Sequence, residues 1–100
     1  MNRCCSLEIH GDDQERFLRM CKAIGNPIRF EILKFLLSHP SCITGDIVNH
    51  VPIAQATVSQ HLKVLKESGW IQGESEGSST CYCMSDAGVQ WFKQTIGEIF

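Results

Sequence analysis

The chain has 100 residues, 43% of them hydrophobic, with nine Lys or Arg against eleven Asp or Glu, a net charge of -2 and a pI near 6.0. That is one domain's worth of chain, and so short a domain buries only part of its apolar surface unless a partner covers more, which invites an oligomer. The acidic balance excludes a protein that holds nucleic acid by bulk charge, so any DNA contact has to come from local charge.

No apolar run approaches the ~20 residues of a membrane span, and Arg3 is followed by Cys-Cys-Ser instead of an apolar signal region, so the chain reads as cytoplasmic, without a membrane partner. In a reducing compartment, its six cysteines point to metal binding or thiol chemistry more than to a disulfide framework.

Residues 1–11 show no helical stripe and end at Gly11; they are predicted to form a flexible arm, with residues 12–100 as the folded domain. Asp12 and Asp13 supply capping chemistry for a first helix over 13–24, whose stripe is Phe17, Cys21 and Ile24 and which Gly25 stops. Asn26-Pro27 pairs an N-cap side chain with a proline at the first helical position. The "IRFEILKFLLS" that follows, with Ile28, Ile32 and Phe35 flanked by Leu33, Leu36 and Leu37, is too apolar for a surface helix and predicts a central core helix ended by His39-Pro40.

"SCITGDIVNHV" predicts a two-turn helix capped by Thr44 with Ile47, Val48 and Val51 inward. Pro52 breaks it, and a second helix follows with Val58, Leu62 and Leu65 inward and a stop at Ser68-Gly69. Two short helices joined by a tight break make a helix-turn-helix. "IQGESEGSSTCYCMS" then reads as a hairpin in which Thr80, Tyr82 and Met84 alternate with Cys81 and Cys83. A last helix starts at Asp86 with Val89, Phe92, Ile96 and Ile99 as its stripe; so apolar a helix is expected to pack against a second chain. The fold class is therefore mainly α with a small β-hairpin, a winged helix-turn-helix.

On the second motif helix, Gln55, Thr57, Ser59, Gln60, Lys63 and Lys66 are left on outer and flanking positions. Gln pairs with adenine edges in the major groove, Ser and Thr reach bases or phosphates, and Lys neutralises phosphate. The order of elements and the runs "KAIGNPIRFEILKFL", "TGDIV", "AQATVSQHLKVLKESGWI" and "GESEGSSTCYCMS" closely resemble the ArsR/SmtB family of winged-helix repressors, over residues 17–85 or so. The resemblance implies a homodimer paired through its first and last helices, double-stranded operator DNA as partner, and release of that DNA by an inducer. It makes Gln55, Thr57, Ser59, Gln60 and His61 the groove-facing set, with His61 either reading a base or instead packing or bonding a phosphate.

Two positions depart from the family pattern. Ala54 stands where relatives commonly carry a capping Ser, forfeiting a cap of roughly 1 kcal/mol. The wing tip carries Glu74 and Glu76 and lacks the Arg many relatives have, so DNA binding is expected to rest mainly on the recognition helices.

The resemblance also bears on the cysteines. The family's zinc site between terminal helices uses histidines that residues 86–100 lack. Another family arrangement joins an N-terminal cysteine pair to a cysteine after the core helix. This implies Cys4 and Cys5 of one arm meeting Cys42 of the partner protomer, three thiolates suited to arsenite or antimonite as inducer, with no cofactor required. A rival set is Cys42, Cys81 and Cys83, if the segment before the first motif helix pairs with the wing. Cys21, on an apolar face, reads as structural. Two other functions stay open: a redox or reactive-sulfur switch that forms a disulfide, and a winged helix used for protein contact. No Gly-rich phosphate loop, carboxylate pair or Cys-His dyad supports an enzyme.

Overall fold

The computed structural model describes residues 9–40, 42–51, 53–76 and 79–100, with backbone alone at 42–44, 75–76 and 79. Cys4 and Cys5 lie outside the described residues. Among those described, five helices and three short strands follow in the order α1 (Gly11–Ile24), α2 (Pro27–Ser38), β1 (Cys42–Ile43), α3 (Thr44–His50), α4 (Gln55–Ser68), β2 (Ile71–Glu76), β3 (Ser79–Met84) and α5 (Asp86–Ile99). No helix among them is long and apolar enough to cross a membrane.

Helix α1 starts two residues earlier than its stripe suggests. His10 occupies its N-cap without a side-chain bond, so Asp12 and Asp13 act as charges in the first turn and not as the cap. Its inward face is also rotated from the expected one: Phe17, Met20 and Ala23 are buried, whereas Cys21 and Ile24 are half-buried. Helix α2 begins as its sequence dictates. Asn26 Oδ1 accepts from the N–H groups of Ile28 and Arg29 at 2.9 and 3.1 Å, and Pro27 takes the first turn, where its missing donor costs nothing.

The core is one cluster in which Met20, Ile32, Leu36, Ile47, Val58, Leu62 and Leu65 are fully enclosed, joined by Leu33, Val51, Trp70 and Ile71. Every helix up to α4 contributes to it. Leu37, expected among the core positions, is 66% exposed, because the apolar run of α2 is wider than the face its neighbours can cover. Trp70 closes the cluster from the end of α4, with its indole N–H donating to the Met20 carbonyl at 2.8 Å.

Helix α4 ends where Gly69 turns left-handed, with φ at 101°. The Trp70 N–H then reaches the Leu65 carbonyl and the Gly69 N–H that of Lys66, at 3.0 and 3.2 Å, the paired bonds of a Schellman stop. This turn aims the chain into β2.

The three strands form one antiparallel sheet in the order β1-β3-β2. Strand β3 opposes Ile71 with Met84, Gln72 with Cys83, Gly73 with Tyr82 and Glu74 with Cys81 on one side, and Cys42 with Tyr82 and Ile43 with Cys81 on the other. Tyr82 and Met84 pack on the core, so Cys81 and Cys83 occupy the alternate face.

Helix α5 returns to α1. The rings of Phe17 and Phe92 stack at 5.1 Å, Trp70 tilts against Phe92 at 4.8 Å, and the Arg16 guanidinium lies 4.1 Å from the Trp91 ring centre. Its start is fixed by Ser85, whose hydroxyl accepts from the Gly88 N–H at 3.1 Å. Gly88 lies so close to the Gly69 carbonyl that a Cβ there would run into it.

Candidate nucleic-acid interface

Helices α3 and α4, joined across residues 51–54, form the helix-turn-helix. α3 is seated by Ile47 and Val51; the Thr44 side chain proposed as its cap lies outside the described residues. α4 is seated by Val58, Leu62 and Leu65, each at 0% exposure, and by Ser68, whose hydroxyl donates back to the Leu65 carbonyl at 3.0 Å. With that stripe sealed, Gln55, Thr57, Ser59, Gln60, Lys63 and Lys66 are exposed along the helix. The N-terminal half therefore offers amides and hydroxyls, and the cations follow one turn later. Ala54 caps α4 with backbone alone, leaving N–H groups of the first turn without a side-chain acceptor.

His61 stands apart from this row. It is half-buried, and its Nδ1 lies 3.2 Å from a terminal nitrogen of the Arg29 guanidinium. A guanidinium has only donors, so Nδ1 accepts and the ring proton sits on Nε2. Burial, followed by the charge of Arg29, holds the His61 pKa below the ordinary histidine value, which keeps the ring neutral. Arg29 is in turn fixed by the last turn of α1: its Nε donates to the Ala23 carbonyl at 2.7 Å and its other terminal nitrogen to the Lys22 carbonyl at 3.4 Å. One side chain thus ties α1 and α2 to the recognition helix.

Arg29 was not singled out by the sequence pattern. The available signal was its place: a cation in the first turn of a mostly apolar helix opposes the helix dipole and needs a partner to hold it there. The carbonyl end of α1 supplies that partner. Beside it, a groove of about 320 Å³ between α1 and α4 is lined by Arg19, Lys22 and Arg29 together with Glu67. Local charge is thereby concentrated next to α4 even though the chain as a whole is acidic.

The wing offers less. Glu74 is exposed on β2, opposite Cys81, and carries the wrong sign for phosphate. The cysteine sets divide. Strand β1 does pair with the wing, as one of the two sets required, and its backbone register sets Cys42 opposite Tyr82 and Ile43 opposite Cys81. The Cys42 side chain that the rival set needs lies outside the described residues. Among the described residues no three His, Cys, Asp or Glu side chains group to hold a metal. Cys21 is half-buried, and burial raises the pKa of its thiol.

A two-helix reading unit with an exposed polar second helix, backed by a three-stranded wing, defines a winged helix-turn-helix regulator. The family model for the bacterial regulatory proteins of the arsR family matches residues 26–72, from the N-cap of α2 to the second residue of β2. The chain is 31% identical over 85 residues to an uncharacterized HTH-type transcriptional regulator of Methanocaldococcus jannaschii, covering 85% of this chain and 96% of that one. It is 33% identical over 67 residues to the HTH-type transcriptional repressor SmtB of Mycobacterium tuberculosis, covering 67% of this chain and 49% of the repressor. The crystal structure of an ArsR family transcriptional regulator, RHA00566, superposes with a TM-score of 0.76 at 19% identity, over 85% of this chain and 87% of the other, a likeness of fold. The chain belongs to the ArsR/SmtB family of transcriptional regulators, and the relatives named here are an HTH-type transcriptional regulator and an HTH-type transcriptional repressor, not enzymes.

Proposed function

We propose that the chain acts as a homodimeric repressor that sits on an inverted-repeat operator and is released from it by a thiol-reactive inducer of the arsenite or antimonite type, in the cytoplasm. The observation that carries the DNA reading is the division of α4: a sealed apolar stripe on one side, and on the other an exposed row of Gln55, Thr57, Ser59 and Gln60 followed by Lys63 and Lys66. Hydrogen-bonding groups lead where base edges would be read, and cations trail where phosphates would lie. Of the two parts open to His61, its half-burial and its contact with Arg29 favour packing or bonding a phosphate over reading a base: with Nδ1 engaged, the ring offers at most its Nε2–H.

Dimerisation is supported by what α1 and α5 leave uncovered. Leu18 is 55% exposed, Ile96 38% and Phe100 94%, beside the Phe17–Phe92 stack. Joining two such faces would hold two recognition helices at a fixed separation, as a twofold operator requires. For the inducer, Cys42 stands on the edge strand immediately before α3, within the unit that would touch DNA. Cys4 and Cys5 of a partner's arm would complete three thiolates there.

The test is selection of bound sequences from a random duplex pool by the reduced protein, followed by fluorescence anisotropy on the winner with and without arsenite. An inverted repeat bound by two chains and released by arsenite, with release lost in Cys4→Ser/Cys5→Ser, supports the reading. No enrichment of any duplex would refute repression by DNA binding, and enrichment without release would refute the inducer.

A further inference from the structure

The outward face of the wing carries two thiols that the repressor reading leaves unused. Cys81 and Cys83 are both free, half-exposed and two residues apart on β3, the central strand of the sheet. Their flanking positions are fixed by register: Glu74 and Ile43 stand on either side of Cys81, and Gln72 stands beside Cys83. Tyr82 between them packs on the core, which holds the strand and keeps the two cysteines on one side. Cys81 is flanked by a paired strand on each side and Cys83 by β2.

Spacing decides what such a pair can do. Alternate residues of a strand are separated by about 6.6 Å, twice the rise per residue, and their Cβ atoms run roughly parallel. A disulfide wants its Cβ atoms only about 3.5–4.5 Å apart, so this pair is too wide to oxidise internally without breaking the ladder. A single metal ion between two thiolates needs a sulfur separation of about 4.6 Å, twice a metal–thiolate bond of ~2.3 Å, which two Sγ atoms leaning toward one another can reach. Among the described residues no third His, Cys, Asp or Glu groups with them, so the described site offers two thiolate ligands.

We infer that Cys81 and Cys83 form a two-coordinate thiolate site on the wing for a soft cation of linear preference, such as silver(I), copper(I) or mercury(II). Binding converts two S–H groups to two S–metal bonds, and the two protons pass to solvent with no change in oxidation state. The ion would brace β3 where β1 leads into α3 and where β2 leaves α4. Any consequence for DNA rests on the repressor reading; the binding itself does not.

The test uses the full chain without DNA, reduced, as Cys4→Ser/Cys5→Ser/Cys21→Ser/Cys42→Ser, so that the wing pair are its only thiols, titrated with silver(I) alone and then mercury(II) alone against a competing ligand. The expected result is one ion per chain and release of the thiol protons. A further Cys81→Ser or Cys83→Ser should weaken binding by about a hundredfold or more, the advantage of a second ligand held nearby. Equal affinity in the two-thiol and one-thiol chains, or one ion shared between two chains, would overturn the site. If circular dichroism shows that the fourfold variant has not folded, Cys81→Ser/Cys83→Ser in the otherwise unchanged chain decides: loss of one tightly held ion supports the pair, and unchanged stoichiometry refutes it. Anisotropy on duplex DNA, run separately on the metal-free protein, reports a failure of the repressor reading without touching this one.

Discussion

Arg29 and His61 show how much of a site can hang on one pair. The guanidinium spans from the Ala23 and Lys22 carbonyls to Nδ1 of a histidine thirty-two residues further along the chain, and no local pattern joins those partners. The folded pKa of His61 is lowered, so on acidification the unfolded chain takes up this proton first. The associated stability is whole above the ordinary histidine value of about 6.5 and declines as pH falls through it, until the folded value is passed. His61→Gln keeps an acceptor for Arg29 but cannot titrate. Urea unfolding across that window should therefore depend on pH less in the variant than in the parent; an unchanged dependence would place the proton elsewhere. At the other side of the helix, Gln60 is exposed and in line with the polar row. Gln60→Ala should weaken binding to the selected operator by roughly 1–3 kcal/mol while leaving nonspecific duplex binding nearly unchanged, as read by anisotropy on both duplexes.

At the scale of the element, the sequence announces what local chemistry controls. Asn26-Pro27 and Ser68-Gly69 mark ends that the structure places where they fall, because an Asx cap and a left-handed glycine act over three or four residues. The inward stripe of α4 was legible for the same reason, since Val58, Leu62 and Leu65 recur at helical spacing. The face of α1 was not. A stripe through Cys21 and one through Met20 fit the same residues, and only the position of α4 and Trp70 selects Met20. Strand register was likewise out of reach, because Cys42 and its partner Tyr82 meet across forty residues, and a shift of one position reverses which thiols share a face. Two substitutions test the element ends. Ala54→Ser adds the missing acceptor and should raise stability by roughly 0.5–1 kcal/mol in urea unfolding. Gly88→Ala forces a Cβ against the Gly69 carbonyl, at the junction of α5 with the stop of α4, and should cost roughly 1–3 kcal/mol by the same assay.

For the whole molecule, an acidic chain belonging to a DNA-binding family raises a question of charge. The structure answers it by position: Arg19, Lys22 and Arg29 line the groove between α1 and α4, Lys63 and Lys66 follow on α4, and acidic Glu74 lies on the wing. Bulk charge at -2 therefore says little about the field near the recognition helix. The family was legible in the sequence because its motifs are long and ordered; the contacts that couple α1 and α2 to α4 through Arg29 were not, because His61 is distant from them in sequence. The most direct measurement is the affinity for the selected duplex as a function of salt, for the parent chain and for Lys63→Ala/Lys66→Ala. The parent should show a steep fall in affinity with rising salt, and the double variant a slope shallower by about two per protomer that places both lysines on phosphates. A parent slope near zero would contradict DNA recognition by this helix and leave the winged helix as a surface for protein contact.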